Sequence, residues 1–150
     1  MALDLNVDWA TADPAAVLAD VRSASDDEIA AALAGDDREA ILRNVFGLMT
    51  RELNPERAQD MDATIHFKVW DRPGGGYDHF ELVIAHGAAT LSETPGHDAT
   101  LTIKGRAADL IRVAVGDANA VRLALRGRIR VLGDLNFARK VPELFRVTGA

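Results

Sequence analysis

The hydrophobic period changes twice along this chain, and that double change constrains its fold more than any other feature. Up to Met61 apolar residues recur at helical spacing, from Asp62 they alternate, and after Gly105 the helical spacing returns. Helices first, then a run of strands, then helices around one further strand do not make the regular βα alternation of a parallel α/β sheet. The expected class is α+β: a five-stranded, mainly antiparallel sheet with helices packed on one face.

Local signals place the elements. Asp13-Pro14 sets an acceptor at an N-cap and proline at the first helical position, ahead of Val17, Leu18 and Val21. Ser25 with Glu28 reads as a capping box, and Asp36 with Glu39 as a second one. Behind it runs a wide apolar stripe of Ile41, Leu42, Val45, Phe46, Leu48, Met49 and Leu53, and Asn54-Pro55 caps one more short turn. Ile65, Phe67 and Val69 then alternate with Thr64, His66 and Lys68 as a half-buried strand. Phe80, Leu82 and Ile84 form the second, Ala89 and Leu91 the third, Leu101 and Ile103 the fourth. The turns between them, including Pro73-Gly74-Gly75-Gly76, His86-Gly87 and Pro95-Gly96, are short enough to predict an antiparallel meander. A helix carrying Leu110, Val113 and Ala114 ends at Gly116, and Asp117 is the expected cap of the next, which carries Val121, Leu123, Ala124 and Leu125. Gly127 to Gly133 holds the fifth strand, with Ile129 and Val131 inward and Arg128 and Arg130 outward. Asp134 opens a last helix with Leu135, Phe137, Ala138, Val141, Leu144 and Phe145, which Pro142 is expected to break or kink near Val141.

Composition narrows the class. The chain has 150 residues, 48% apolar and 27% charged, and no cysteine, which removes disulfides, thiolate zinc sites and a cysteine nucleophile. No apolar run approaches the roughly 20 residues of a transmembrane helix, and the first residues are acidic where a secretory signal is basic, so a cytoplasmic protein is expected. Charge is segregated: residues 1–103 hold 19 acids and 7 bases, residues 104–150 hold 4 acids and 10 bases. The plain reading is a solvated face that pairs with the acidic half; the alternative is contact with an anionic surface. Only Phe137 and Phe145 accompany these bases, too few aromatics for a nucleic-acid module.

Catalytic constellations are missing from the pattern. His66, His79, His86 and His97 include no pair at helical ligand spacing, although His66 and His79 can meet across the first hairpin. There is no GxSxG elbow and no Walker loop, and carboxylates such as Asp36, Asp117 and Asp134 are accounted for as caps. No enzyme, metal or cofactor is expected. What stands out is apolar surplus on several helices sharing one sheet, which fits either a dense core or an apolar cavity.

From about Ala40 to Val147 the sequence resembles the sterol carrier protein 2 (SCP-2) family. The resemblance rests on Gly127-Arg128-Ile129-Arg130-Val131-Leu132-Gly133-Asp134, a glycine-bracketed strand of alternating basic and aliphatic residues. Asp98-Ala99-Thr100-Leu101-Thr102-Ile103, the helix from Leu110 to Gly116, Phe46-Gly47-Leu48-Met49 and Asn54-Pro55 support it. It implies a bacterial, SCP-2-like domain over 36–150 with an apolar tunnel between helices and sheet, preceded by an N-terminal helical extension over 1–35. That extension would be a helical cap or a dimer contact, the protein a monomer or homodimer. The tunnel lining implied is Phe46 and Met49 from the first long helix and Leu101, Ile103, Ile129 and Val131 from strands. Leu110, Val113, Ala114, Leu125, Val141 and Phe145 complete it from the later helices. Arg122 and Arg126, one helical turn apart, and Arg128 and Arg130, alternating along one strand, are the expected contacts for transient docking on an anionic membrane. Two departures from the family pattern stand out: arginines where lysines are usual at 128 and 130, and Leu132 where another base is common. The end Thr148-Gly149-Ala150 lacks the peroxisomal tripeptide of eukaryotic members, in line with a cytoplasmic protein. The expected function is a non-enzymatic carrier of a sterol, fatty acyl chain or similar hydrophobic molecule. The competing expectations are an interaction module that assists a lipid-metabolism enzyme, and a small hydrolase or isomerase built on an unplaced His–carboxylate pair.

Overall fold

The computed structural model describes residue 11 and residues 13–145; the first ten residues of the expected extension and the Thr148–Ala150 end lie outside the described residues. Ala15 N–H donates to the Asp13 carboxylate at 3.1 Å and starts α1 (Pro14–Ser23). The Ser25–Glu28 capping box closes in both directions at the head of α2 (Asp26–Ala32). The box expected at Asp36 does not form: α3 (Arg38–Glu52) begins after Asp37, which makes no side-chain cap. Its start is fixed instead by Arg38, a buried guanidinium that donates to Asp78 at 2.8 Å and to the Leu33 carbonyl. A pair this far from water is held more firmly than a surface cap. Asn54 caps the short α4 (Pro55–Ala58) as its sequence suggests.

The strands are β1 (Ala63–Val69), β2 (Asp78–Ala85), β3 (Ala88–Ser92), β4 (Leu101–Gly105) and β5 (Ile129–Gly133), in the order β3-β2-β1-β4-β5. The first three form a meander, but the fourth leaves it. β4 pairs in parallel with β1, Ile65 opposite Leu101 and Phe67 opposite Ile103, and antiparallel with β5. The expected four-strand meander is therefore corrected to a mixed sheet. Residues 93–100 carry the chain across the outer face, where Gly96 and His97 N–H groups donate to the Glu81 carboxylate at 3.0 and 2.9 Å. This crossover also corrects the half-buried reading of β1, because it leaves Thr64 and His66 buried on the outer side.

The inner face is apolar throughout: Ile65, Phe67 and Val69 of β1, Phe80, Leu82 and Ile84 of β2, Leu101 and Ile103 of β4. Phe46 of α3 stacks on Phe67 with ring centroids 4.6 Å apart and lies 5.2 Å from Phe80. α5 (Ala107–Val115) ends at Gly116 with φ 87°, the left-handed cap that the sequence suggests. α6 (Ala120–Leu125) is capped by Asn119, not Asp117, because Asp117 is occupied by Arg112 at 3.0 Å and Arg22 at 3.1 Å. α7 (Leu135–Leu144) is capped by Asp134 and runs through Pro142 without ending at Val141. The proline forfeits one intrahelical donor, while buried Val141 and Leu144 hold the last turn against the rest of the core.

The helices lie on the inner face, α3, α5, α6 and α7 against the sheet and α1 and α2 packed on α5. Val17, Val21, Ile29 and Leu33 join the same apolar core as the sheet residues. Arg112 ties these layers together. It donates to the Val21 and Ala24 carbonyls, both at 2.8 Å, and to Asp26 and Asp117. Among the described residues no helix is long and apolar enough to cross a membrane.

Candidate functional site

Between α6 and α7 the helical layer parts. Leu101 and Ile103 of β4 and Val131 of β5 floor a cleft of about 310 Å³, walled by Val113 and Gly116 of the α5 end, Val121 of α6, and Ala138, Val141 and Pro142 of α7. Asp117, Asn119 and Arg122 form a polar rim on one side. A second space of about 290 Å³ continues past Val121, Val131 and Ala138 towards Leu125, Leu135 and Arg139. Shared walls make the two spaces one groove along the α6–α7 seam. Each is near the lower end of the ~300–1,000 Å³ common for small-molecule sites, and such sites are mostly apolar with a few polar groups at one end.

The cleft has a local cause. α6 is a short helix of six residues that packs on β5 beside α7. Small side chains line the gap, Ala118, Ala120, Ala124 and Ala138 among them, and leave the space that larger ones would fill.

The expected lining residues separate into three groups. Leu101, Ile103, Val113, Val131 and Val141 come together in the cleft. Phe46, Met49, Leu110, Ala114, Ile129 and Phe145 are buried in the packed core and line neither space. Leu125 is 83% exposed and stands at the outer mouth of the groove. Val121, Ala138 and Pro142 line the cleft without having been singled out; the signal was the small and β-branched residues on the facing sides of two neighbouring helices.

The four arginines also part company. Arg128 donates to Asp26 at 2.9 Å and to Asp109 at 2.8 Å, and hydrogen bonding to Asp26 with the charge of buried Asp109 raises its pKa further. It ties the residue just before β5 to α2 and α5. The same contacts, Arg128 first and then Arg112, hold the Asp26 carboxyl below its usual range. Arg122, Arg126 and Arg130 are exposed and make no ion pair with a described residue.

On the opposite face lies a polar cluster that sequence reading reached only in part. Glu81 is 2% exposed and accepts from His66 Nε2 at 3.1 Å and from His97 Nδ1 at 2.9 Å, besides the two crossover N–H groups. Burial pushes its pKa up, but the four hydrogen bonds outweigh this and hold it at about 2. His66 Nδ1 in turn meets His79 Nε2 at 3.0 Å, so the expected meeting of these histidines across the hairpin is real. Burial, with His66 and Lys68 nearby, lowers the pKa of His79. The Glu81 carboxylate fixes His66 as donor at Nε2, and the cluster pins the crossover. Among the described residues no three His, Asp or Glu side chains converge as a metal site.

A mixed five-stranded sheet, helices on one face, and an apolar groove opened within the helical layer together define a small α+β domain built around a hydrophobic cleft. The chain belongs to the SCP-2 sterol transfer family, whose pattern matches residues 45–146. No curated protein matches it. Its fold is similar to that of sterol carrier protein 2 from Yarrowia lipolytica, in an apo form, with 18% identity, TM-score 0.56, and 77% of this chain and 96% of that one covered. It is also similar to palmitated SCP2L2 from Aedes aegypti, with 10% identity, TM-score 0.52, and 68% and 91% covered. A third likeness is to the inverting sec-alkylsulfatase Pisa1 from Pseudomonas sp., with 18% identity and TM-score 0.59 over 69% of this chain. The chain spans only 16% of that enzyme's length.

Proposed function

We propose that the protein is a non-catalytic carrier that holds a hydrophobic molecule, a sterol, a fatty acyl chain or a similar lipid, in the α6–α7 groove. The observation that carries this reading is the groove itself: it is apolar along its floor and both walls, and polar at its two ends, the Asp117–Arg122 rim and Arg139 at the outer mouth. Family membership and the palmitated relative of the same fold support a lipid as occupant. Burial of acyl methylenes contributes about 0.8 kcal/mol each, so a chain seated along the groove binds usefully without a polar anchor. In this reading α1 and α2 brace the rim, since Arg22 of α1 holds Asp117. Loading and release take place at an anionic membrane through the exposed Arg122, Arg126 and Arg130, with Arg128 kept for internal pairing.

Val131 lines both halves of the groove, so Val131→Trp fills it from the floor. Wild-type protein is expected to bind a fluorescent fatty acid saturably and to carry lipid in native mass spectra. The Val131→Trp variant should bind at least about tenfold more weakly, roughly 1.4 kcal/mol, at an unfolding temperature near that of the wild type. Wild-type protein that shows neither bound lipid nor saturable binding would sink the carrier reading. It would leave the interaction module, whose cleft stays empty.

A further inference from the structure

The outer mouth of the groove carries a feature that ligand holding alone does not need. Leu125, the last residue of α6, is 83% exposed, and Leu135, the first of α7, is 56% exposed. A single exposed leucine is ordinary, but these two line the same space, so they extend the apolar lining out to the surface. Such continuity costs solubility and is kept where something covers it.

The charge around this mouth is mostly positive, four arginines against the one carboxylate of Asp134. Arg126 follows Leu125 directly, Arg139 lines the mouth one turn after Leu135, Arg122 stands one turn before Arg126, and Arg130 is on the neighbouring β5. All four are exposed and none forms an ion pair with a described residue, whereas Arg22, Arg38, Arg43, Arg57, Arg112 and Arg128 all do. The nearest carboxylate in sequence, Asp134, accepts from Phe137 N–H as the α7 cap. In a chain of net charge -6, this is a local reversal of sign centred on two projecting leucines. Apolar side chains that project from a ring of free cations complement an anionic bilayer: the leucines suit the acyl boundary, and the guanidiniums suit the phosphates just above it. Nucleic acid does not account for the leucines, and an acidic protein surface does not account for an apolar tip open into a groove.

We infer that the α6–α7 mouth is a membrane-inserting tip, in which Leu125 and Leu135 enter an anionic bilayer beneath Arg122, Arg126, Arg130 and Arg139. The groove then opens straight into the acyl layer, and a ligand passes between them without crossing water. This inference rests on the carrier reading for its purpose, but the docking itself is measured without any ligand.

The test uses the full chain and vesicles of phosphatidylcholine, with and without one-third phosphatidylglycerol. Wild-type protein is expected to float with the anionic vesicles and not with the neutral ones, and to be released as salt is raised. Leu125→Ser with Leu135→Ser should weaken anionic-vesicle binding about tenfold, the loss expected when apolar area no longer enters the bilayer. Arg126→Gln with Arg130→Gln, neither of which lines the groove, should abolish the preference for anionic lipid while fluorescent fatty acid still binds in solution. A tryptophan at Leu125→Trp should be quenched by brominated acyl chains. Docking without that quenching would overturn insertion, and no vesicle binding at all, with fatty acid still bound in solution, would overturn docking and spare the carrier. Vesicle docking by a protein that binds no fatty acid would uphold the tip and remove the carrier. A dimer in sedimentation that Leu125→Ser dissolves would overturn the proposal in favour of a second copy on this surface.

Discussion

Removing the Glu81 carboxylate should destabilise the protein in a way that depends on pH, and the size of the effect follows from four hydrogen bonds. In Glu81→Ala the N–H groups of Gly96, His97 and His66 Nε2 lose their acceptor, and so does His97 Nδ1. A buried donor left unmet costs about 1–3 kcal/mol, less where it can turn to water. The crossover N–H groups and the half-open His97 can do so, and the buried His66 cannot, which gives a loss of about 3–5 kcal/mol. An independent route gives a similar figure. A carboxyl held at about 2 in the fold and at 4.5 when unfolded stabilises the native state by about 3 kcal/mol above pH 4.5. Because the folded pKa is depressed, this contribution is complete above the unfolded value and fades as pH falls from 4.5 towards 2.

Urea unfolding of wild type, Glu81→Ala and Glu81→Gln at a series of pH values separates the two parts. The glutamine keeps an acceptor for the crossover but has no charge, so its deficit against wild type should be about 3 kcal/mol at neutral pH and shrink steadily below pH 4.5. Taking the difference between the two proteins cancels the other carboxylates that titrate in the same window, Asp26 and Glu28 among them. A deficit that stays constant from pH 7 to the acid limit, or one below about 0.5 kcal/mol throughout, would refute the reasoning, because the buried carboxylate would then not be the anchor of the crossover.

Two further outcomes are expected. Gly133→Ala should cost about 2 kcal/mol or more in chemical denaturation, since Gly133 has φ 114° and an added Cβ would run into the Thr100 carbonyl oxygen where β5 pairs with β4. Arg112→Met should cost about 3 kcal/mol, because it leaves the Val21 and Ala24 carbonyls and Asp117 without their shared donor. Hydrogen exchange should then speed up in α1 and α2 while β1 and β2 keep their protection.

Much of the element order was legible because its signals are local. Asp13, Ser25, Asn54 and Asp134 cap their helices through N–H groups two or three residues away. Asp36 and Asp117 carried the same kind of signal and failed for the same reason. At each place a guanidinium with a long-range pairing decides the geometry, Arg38 with Asp78 at the head of α3 and Arg22 on Asp117, which Arg112 one turn back also holds. Strand pairing was illegible for a different reason. The alternation of Leu101 and Ile103 is identical whether β4 lies beside β3 or beside β1. What decides is burial: β1 offers Ile65 and Phe67 as neighbours, and β3 offers mainly Ala89 and Leu91. The device that allows the exchange, Glu81 under the crossover, lies fifteen positions before Gly96, the nearest crossover residue it serves, and no spacing rule announces it.

The apolar surplus was the sequence's best clue to a site, yet the largest members of it do not line the groove. Phe46, Met49 and Leu110 are consumed because α3 and α5 pack on each other as well as on the sheet, and α5 also carries α1 and α2. Helices in two tiers need wider apolar stripes than helices in one. The site residues come instead from segments whose pattern no single face can satisfy. In α6 the residues Val121, Leu123, Ala124 and Leu125 are apolar within five positions, and at about 100° per residue they cannot all turn the same way. Leu123 takes the core, Val121 and Ala124 take the groove, and Leu125 is left projecting at its mouth. α7 divides likewise, with Phe137 and Leu144 in the core, Ala138 and Val141 on the groove, and Leu135 outside. Apolar residues in excess of one helix face are thus the ones that build and extend the cleft. On that ground a charge placed at Val121 should disturb ligand binding more than folding, and one placed at Leu123 should do the reverse.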